Sequence, residues 1–224
     1  DWGSRKYLLA SLDQSLKRMG LPYVDVFYHH RMDKDTPLEE SMMALDTAVK
    51  SGRALYAGLS NYDNATARKA AGILKELRCP FVLNQVRYSI FDRHIETDAL
   101  DQAADEAGFG IICFSPLAQG LLTDRYIDGI PADSRIGRGG PFLKREQLTE
   151  EKLTQIRALN EIARSRNQSL SQLALSWVLR MPQVTSVLIG ASSPEQIIQN
   201  LGAVQAPALS QEELQAIDRM TGVK

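Results

Sequence analysis

Short apolar runs alternate with longer amphipathic segments along most of this chain, and this alternation limits the folds that it can adopt. Five runs have the length and composition of buried strands: residues 23–30, 55–60, 81–86, 110–115 and 186–190. Each is largely continuous in its apolar character, which is typical of a parallel sheet covered on both faces. The pattern predicts repeated right-handed βα units, in either a barrel or a doubly wound sheet.

Helix-start and helix-stop residues flank the amphipathic segments. Ser4 and Gly20 bound a first predicted helix, and one helix is predicted over residues 96–107. Capping boxes are predicted at residues 36–39, 193–196 and 210–213. Residues 124–144 form a long irregular stretch, and a loop of that length in a compact domain is usually functional or mobile. No linker is evident, so residues 1–224 are predicted to form a single domain.

The composition excludes several classes of partner. The net charge is −1, so we expect no broad electrostatic footprint for nucleic acid or an anionic membrane. No apolar stretch approaches the ~20 residues needed to cross a bilayer. Cys79 and Cys113 lack C-x-x-C spacing, and three histidines do not favour a multi-histidine metal site. We therefore predict a cytoplasmic protein with a small-molecule substrate, and we leave self-association open.

Polar residues occupy the C-terminal end of every predicted strand. These ends are His29-His30-Arg31, Ser60-Asn61, Asn84-Gln85, Ser115 and Gly190-Ala191-Ser192. Ligands gather at this edge in open parallel sheets and in barrels. The alternative is that chains simply turn polar where strands end. The G-x-x-x-x-G-K-[ST] and G-x-G-x-x-G nucleotide motifs are both absent.

The last of these strand ends has two interpretations. Gly190 permits close approach of a ligand to the backbone, and Ser192 and Ser193 precede a predicted helix that begins at Pro194. The unpaired N–H groups and the dipole of a helix N-terminus favour a phosphate there. An ordinary serine N-cap explains the same residues equally well.

Five stretches, in order along the chain, resemble the aldo-keto reductase family. They are "SLKRMGLPYVDVFYHHRMDKDTPLEE", "GLSNYD", "NQVRYSIFDR", "FSPLAQGLL" and "SVLIGASSPEQIIQN". Over its length the sequence most resembles bacterial members of the L-glyceraldehyde 3-phosphate reductase type. It also resembles the β subunits of voltage-gated potassium channels, which share the same barrel.

The resemblance implies a (β/α)8 TIM barrel in which NADP(H) lies extended across the C-terminal rim. The five predicted strands would be the fourth to eighth strands of that barrel. The chain would then be the C-terminal part of an incomplete, N-terminally truncated barrel. The catalytic tyrosine, lysine and aspartate of the family would lie in the missing part. A doubly wound open sheet is the alternative architecture.

Of the four catalytic positions of the family, only the histidine has a match here, and that match is His30. Val24, Val26, Tyr28 and His30 share one face of the predicted strand, whereas His29 points to the other. The resemblance implies that His30 orients the substrate carbonyl within an electrostatic pocket for the developing alkoxide.

The resemblance also implies a set of cofactor contacts. Ser60, Asn61 and Gln85 match the group that binds the nicotinamide carboxamide, whose one acceptor and two donors need polar partners. Tyr88 and Phe114 are the candidates for aromatic contact with the nicotinamide ring. Phe114 matches best, although a core aromatic would also suit its position.

The remaining matches concern the phosphate and adenosine ends of the cofactor. The pyrophosphate loop corresponds to Ser115, Pro116, Leu117, Ala118 and Gln119, and the adenosine end to Gly190, Ser192, Gln196, Gln199 and Asn200. Arg125 and Arg135 fall where basic residues of related members reach phosphates, since a guanidinium binds phosphate oxygens in pairs; either arginine could instead be solvated. Ser193 stands where many members carry a basic residue for the 2′-phosphate, and Gln199 stands where many carry a glutamate.

These implied contacts predict NADPH-dependent reduction of an aldehyde or ketone by hydride transfer. Small aldehydes such as glyceraldehyde 3-phosphate or methylglyoxal are the candidate substrates. Because a general acid typically contributes 10²–10⁴-fold, we expect this chain alone to be a weak or inactive reductase. One alternative is a cofactor-binding regulatory module similar to the channel β subunits. Another is a fragment without function.

Overall fold

The computed structural model describes residues 2–132, 134, 136–139 and 143–222 and has an α/β architecture. Five parallel strands form a sheet in which they are neighbours in chain order. The strands are β1 (Val24–His29), β2 (Ala54–Ser60), β3 (Phe81–Arg87), β4 (Gly110–Phe114) and β5 (Val184–Leu188). Each predicted strand is present, with bounds that differ by one or two residues from the sequence prediction.

Helices alternate with the strands, as the amphipathic segments predict. The α-helices in the described part of the chain are α1 (Arg5–Met19), α2 (Leu38–Lys50), α3 (Asn64–Glu76), α4 (His94–Thr97), α5 (Leu100–Ala107), α6 (Glu150–Ser165), α7 (Leu170–Leu179), α8 (Pro194–Leu201) and α9 (Gln211–Thr221). Short 3-10 turns occur at Ala118–Gly120, Asp124–Tyr126, Arg145–Gln147 and Gly202–Gln205. No helix among the described residues is both long enough and apolar enough to cross a membrane.

The strand order distinguishes the two predicted architectures. A doubly wound sheet reverses its strand order at a switch point, whereas a barrel adds each strand beside the previous one. The observed order β1-β2-β3-β4-β5 has no reversal. The doubly wound alternative is therefore wrong, and the sheet corresponds to part of a TIM barrel.

The chain divides into two compact units. The first contains the described residues within 1–86 and 94–112, and the second those within 87–93 and 113–224. In the first unit, Leu12 and Leu16 of α1 pack with Ala48 of α2 and Ala54 of β2. In the second, Trp177 of α7 is the largest fully buried side chain. Full burial of such a side chain stabilises the fold by a few kcal/mol. The predicted single domain over residues 1–224 stays a prediction.

Register in the first unit sets the strand ends level with one another. His29 of β1 pairs with Leu59 of β2, and Ser60 pairs with Gln85 of β3. Gly58 permits this close pairing, because a Cβ at that position would lie 2.8 Å from Cγ1 of Val26. Parallel pairing with this register places the polar ends of β1, β2 and β3 at one edge.

Helix caps agree with the sequence prediction at some positions and differ at others. Ser4 and Ser210 cap α1 and α9, and the box at 210–213 is complete. The box predicted at 36–39 is wrong, because Thr36 Oγ1 instead donates to Asp33 Oδ2 at 2.9 Å. The box predicted at 193–196 is also wrong. The Ser193 side chain forms no cap bond and instead bonds with Glu195.

The single helix predicted over residues 96–107 is interrupted. It is divided into α4 and α5, and Ala99 between them has a left-handed φ of +56°. Asp98 explains the interruption, because its carboxylate accepts from Asn64 N at 2.6 Å and its carbonyl oxygen accepts from Asn64 Nδ2 at 2.7 Å. These two bonds fix the chain to the start of α3, a long-range contact that helical periodicity does not report.

Candidate functional site

Asn61 joins the carboxyl ends of three strands in the first unit. Its backbone N–H donates to the carbonyl oxygen of Gln85 at 2.9 Å. Its side-chain Nδ2 donates to the carbonyl oxygen of His30 at 3.2 Å and to Ser60 Oγ at 3.0 Å. Ser60 Oγ in turn donates to the Gln85 carbonyl at 3.0 Å. The structure thus brings together four of the predicted site residues, which we call the Asn61 cluster: His30, Ser60, Asn61 and Gln85.

The backbone of Asn61 adopts a strained conformation. Its φ is +59°, in the left-handed region that asparagine enters more readily than most residues. Residues held in such conformations concentrate at ligand-binding sites. The turn that follows β2 is therefore strained and held by several hydrogen bonds, as expected of a preorganised polar site.

The two histidines at the end of β1, His29 and His30, have opposite environments. His30 is exposed at the end of the strand, where a ligand can reach its ring. His29 is 2% exposed, and its Nδ1 lies 2.5 Å from the Tyr62 hydroxyl. Burial lowers the pKa of His29 to about 4, an effect that nearby Asp33 opposes and His30 reinforces. His29 is therefore neutral at pH 7. The sequence predicted the opposite orientations but not the buried contact.

A cavity of about 740 Å³ lies in the second unit. It is within the range of pockets that bind small molecules and cofactors. Among its lining residues are ten that the sequence analysis proposed: Ser115, Pro116, Leu117, Gln119, Arg125, Gly190, Ser192, Gln196, Gln199 and Asn200. Phe114 and Ala118 belong to the same β4–loop segment but do not line the cavity. Arg135 lies outside the described residues.

The loop after β4 that lines this cavity is strained. Ser115, Ala118 and Gln119 all have positive φ values, of +55°, +46° and +60°. Three non-glycine residues in the left-handed region within five positions cost several kcal/mol together. The side-chain Oε1 of Gln119 is buried without a hydrogen-bond partner among the described residues. The strained backbone and the unpaired Gln119 Oε1 indicate that the loop after β4 is arranged to bind a ligand.

The chain before α8 and part of α8 itself also line the cavity. The Ser192 backbone N–H donates to Gln196 Oε1 at 2.8 Å, which orders the chain before the helix. Gln172 of α7 donates through Nε2 to the carbonyl oxygen of Gln199 at 2.7 Å. These bonds hold the lining residues of α8 in place, with the positive end of the helix dipole at the cavity.

Two arginines line the cavity, and the sequence analysis identified only one of them. Arg125 was predicted from the resemblance, whereas Arg138 lies in the irregular stretch of residues 124–144 and was assigned no role. Thr123, Tyr126 and Ser171 are further lining residues that the analysis missed. Arg138 belongs to the long irregular stretch of residues 124–144, so its approach to the cavity depends on tertiary structure. A basic residue between glycines was the one available signal.

The thiols and acidic residues offer no further chemistry of this kind. Burial raises the pKa of Cys79 to about 11 and that of Cys113 to about 12, so both thiols stay protonated at pH 7. Within the described part of the chain, no group of three or more His, Cys, Asp or Glu side chains could hold a metal ion. Each unit therefore has its own candidate site, the Asn61 cluster in the first and the cavity of about 740 Å³ in the second.

Comparison with known proteins gives consistent matches. The sequence model of the Aldo/keto reductase family matches residues 2–221. The L-glyceraldehyde 3-phosphate reductase of Escherichia coli K12 is 49% identical over 220 residues, which is 97% of this chain and 64% of that protein. A putative voltage-gated potassium channel subunit beta of Schizosaccharomyces pombe is 38% identical over 224 residues, with the same two coverages.

Solved structures agree with the sequence matches. The crystal structure of a thermostable aldo-keto reductase bound to the inhibitor epalrestat superposes with a TM-score of 0.75 at 29% identity. The match covers 97% of this chain and 67% of that one. This chain therefore spans 64% of the length of the curated relatives that it matches.

Proposed function

The chain belongs to the aldo/keto reductase family, and from this premise we propose that it binds NADP(H) and serves in the reduction of a small aldehyde or ketone. The observation that supports this most strongly is the cavity of the second unit. Its strained loop, the start of α8 and two arginines all line one space of about 740 Å³. Backbone N–H groups, a helix N-terminus and guanidinium groups are the partners that phosphates prefer.

The cavity residues suit the phosphate and adenosine portions of a dinucleotide. The loop from Ser115 to Gln119 would contact the pyrophosphate, and Gln196, Gln199 and Asn200 would contact the adenosine. A glutamine carbonyl at Gln199 accepts from the adenine amino group, as a glutamate would, but without the charge. These residues fit the cofactor by donor type, acceptor type and cavity size.

The preference for NADP(H) over NAD(H) rests on the arginines. Arg125 and Arg138 are the arginines among the cavity-lining residues that the structure describes. A 2′-phosphate adds up to two negative charges, and a guanidinium binds it in bidentate fashion. Ser193 supplies no charge at the position where many relatives have a basic residue, so we assign the preference to the arginines.

The Asn61 cluster suits the nicotinamide carboxamide. The Gln85 carbonyl oxygen and Asn61 Nδ2 are already used within the protein. Asn61 Oδ1 and the Gln85 side-chain amide have no partner among the described residues, and together they offer acceptors and donors. A carboxamide needs both types of partner to fix which ring face meets the substrate.

His30 is the proposed catalytic residue. It is exposed at the end of β1, and its carbonyl oxygen is held by Asn61. NADPH held by these residues would supply hydride chemistry toward the carbonyl carbon. His30 would donate a hydrogen bond to the carbonyl oxygen as negative charge develops there. The proton on that oxygen must come from a general acid, and the tyrosine acid of the family has no match in this sequence.

We also propose a cellular location for the protein. Both cysteines are free and buried, which supports a reducing, cytoplasmic location. A homo-oligomer is compatible with the fold, and we propose none in particular. The substrate class is a small aldehyde, with glyceraldehyde 3-phosphate and methylglyoxal as the first candidates.

A regulatory module that binds cofactor without turnover is the second candidate function. The similarity to a putative potassium channel subunit beta supports it. Both candidates require NADPH binding, and they differ in turnover.

Two measurements on the 224-residue chain test the proposal. NADPH and NADH are titrated while cofactor fluorescence is followed, and NADPH oxidation is followed with each candidate aldehyde. We expect saturable binding that is tighter for NADPH, with turnover that is weak or undetectable. Robust turnover would contradict the expected loss of the general acid. No binding of either nucleotide would contradict the proposed function itself.

A further inference from the structure

Two buried polar side chains, His29 and Tyr62, are the chain neighbours of His30 and Asn61 in the Asn61 cluster. Tyr62 follows Asn61 in the chain and is 1% exposed, and His29 precedes His30 and is 2% exposed. The Tyr62 hydroxyl and His29 Nδ1 are 2.5 Å apart, and the two rings meet edge to face at 5.9 Å. Burial raises the pKa of Tyr62, so its hydroxyl keeps its proton and can donate to the neutral histidine.

A third buried residue holds the other end of Tyr62. Asn84 of β3 is 0% exposed, and its Nδ2 donates to the carbonyl oxygen of Tyr62 at 2.9 Å. Tyr62 is therefore fixed at its hydroxyl by the last residue of β1 and at its backbone by β3. Asn61, with its left-handed backbone, directly precedes Tyr62, which these two hydrogen bonds hold in place.

This arrangement is costly for a purely structural contact. Among the described residues, His29 Nε2 and Asn84 Oδ1 are buried without a hydrogen-bond partner. Well-packed apolar side chains would avoid the desolvation penalty of both groups. Hydrogen bonds are directional, so they can fix the orientation of one backbone segment, which apolar packing alone does less well. The segment that they fix is the one that presents Ser60 and Asn61.

We propose that His29, Tyr62 and Asn84 are positioning residues that hold the Asn61 turn, and with it the Asn61 cluster, in the conformation that binds the cofactor carboxamide. This inference rests on the proposed function and deepens it. All three side chains are buried and so are not placed to contact substrate or cofactor. They act through the backbone of Asn61 and through the ends of β1 and β3.

Nuclear magnetic resonance of the 224-residue chain without cofactor tests the inference independently of any ligand. The side-chain amide signal of Asn61 is assigned by its loss in Asn61→Asp. Tyr62→Phe and His29→Leu each remove the bond between Tyr62 and His29, so both should shift this signal. The double variant should shift it no further. Leu12→Val removes core packing in the same unit and should leave it unchanged.

Titration with NADPH then links positioning to binding. Tyr62→Phe and His29→Leu should each weaken NADPH binding roughly tenfold, the effect of about one lost hydrogen bond. His29→Gln can still bond to the Tyr62 hydroxyl and should retain most of the affinity. Leu12→Val should bind as the unaltered chain does.

The outcomes separate the two proposals. If the unaltered chain binds no NADPH while the Asn61 signal responds as expected, the proposed function fails and the coupling of Tyr62 to Asn61 stands. If the chain binds NADPH but Tyr62→Phe and His29→Leu change neither the Asn61 signal nor the affinity, the positioning role is overturned. Equal losses in His29→Gln and His29→Leu would also overturn it, since the hydrogen bond would then not matter.

Discussion

Ser60 Oγ donates a hydrogen bond of 3.0 Å to the backbone carbonyl oxygen of Gln85, on the neighbouring strand. The contact joins two polar strand ends that are 25 residues apart in the chain. It follows from the parallel register in which Ser60 pairs with Gln85. A polar site at this edge is thus built into the strand pairing, and the side chains that extend from it need no separate loop to bring them together.

Removing this contact should weaken cofactor binding more than it weakens the fold. Ser60→Ala deletes the donor and leaves the half-buried Gln85 carbonyl with the Asn61 N–H as its partner. We expect a loss of about 1 kcal/mol in the free energy of unfolding. NADPH binding should fall by a larger factor, because Asn61 Nδ2 also loses the Ser60 oxygen. Urea unfolding and fluorescence titration measure the two effects. Equal changes would argue against a role for Ser60 in the site.

Acid should destabilise the first unit through His29. Burial lowers its pKa to about 4, whereas the unfolded chain has the ordinary value of 6.5. The unfolded state then binds more protons between these values, so this contribution is fully present above pH 6.5 and is lost as pH falls toward 4. From pH 7 to pH 5 the expected loss is about 2 kcal/mol.

Urea unfolding at the two pH values measures this loss, and His29→Gln is the matched variant because its side chain does not titrate. The difference between pH 7 and pH 5 should be smaller in His29→Gln by about the same 2 kcal/mol. Asp33, whose pKa backbone N–H donors lower to about 2, titrates below this window and does not confuse the comparison. An identical pH dependence in both proteins would show that His29 does not titrate as proposed.

Arg93 should be the most important charged residue for the stability of the second unit. Its guanidinium lies 4.5 Å from the centre of the Trp177 ring and bonds to Asp218 at 2.5 Å and to Thr221 at 3.1 Å. The guanidinium of Arg180 lies 3.7 Å from the centre of the same ring. Arg93→Ala should therefore lower the free energy of unfolding by about 2 kcal/mol or more.

The exposed ion pair of Arg164 with Glu161 provides the control for Arg93. Both of its side chains are mostly exposed, so Arg164→Ala should cost about 0.5 kcal/mol or less. Trp177 fluorescence in a Trp2→Phe background follows unfolding of the second unit alone. Equal stabilities of the Arg93→Ala and Arg164→Ala proteins would contradict the importance assigned to the buried contact.

Both thiols should be unreactive in the folded protein. Cys79 and Cys113 are buried, and burial raises the pKa of each well above 7, so neither presents a thiolate. A colorimetric disulfide reagent at pH 7 should label neither cysteine until urea unfolds the chain. Rapid labelling of one thiol before unfolding would indicate that its part of the core opens readily.

The sequence predicted the strands and much of the cavity lining for a clear physical reason. Strands buried in a parallel sheet are apolar along their whole length and turn polar where they end, so Ser60 and Ser115 were both visible as strand ends. The division between α4 and α5 was not predictable, because it depends on Asn64 contacting Asp98 from another helix. Arg138 was missed for the same reason, since its place in the cavity comes from the fold of an irregular loop.

The buried pair of His29 and Tyr62 shows a further limit of sequence patterns. Strand alternation correctly placed His29 opposite to His30, but it gave no sign of the tyrosine that the histidine contacts 33 residues later. The left-handed backbone at Asn61 was also hidden, since asparagine occurs in many conformations. Both features depend on strand register, which only the structure supplies.

The central claim is that the cavity of the second unit binds the phosphate and adenosine portions of NADPH. The most direct measurement is an NADPH titration of the isotopically labelled chain followed by nuclear magnetic resonance of its backbone amides. The amide signals of Gln119, Gly190 and Ser192 should move together and saturate with one dissociation constant, and Arg138→Ala should raise that constant. If these signals stay unchanged at saturating NADPH, the cavity is not the cofactor site and the proposed function is wrong.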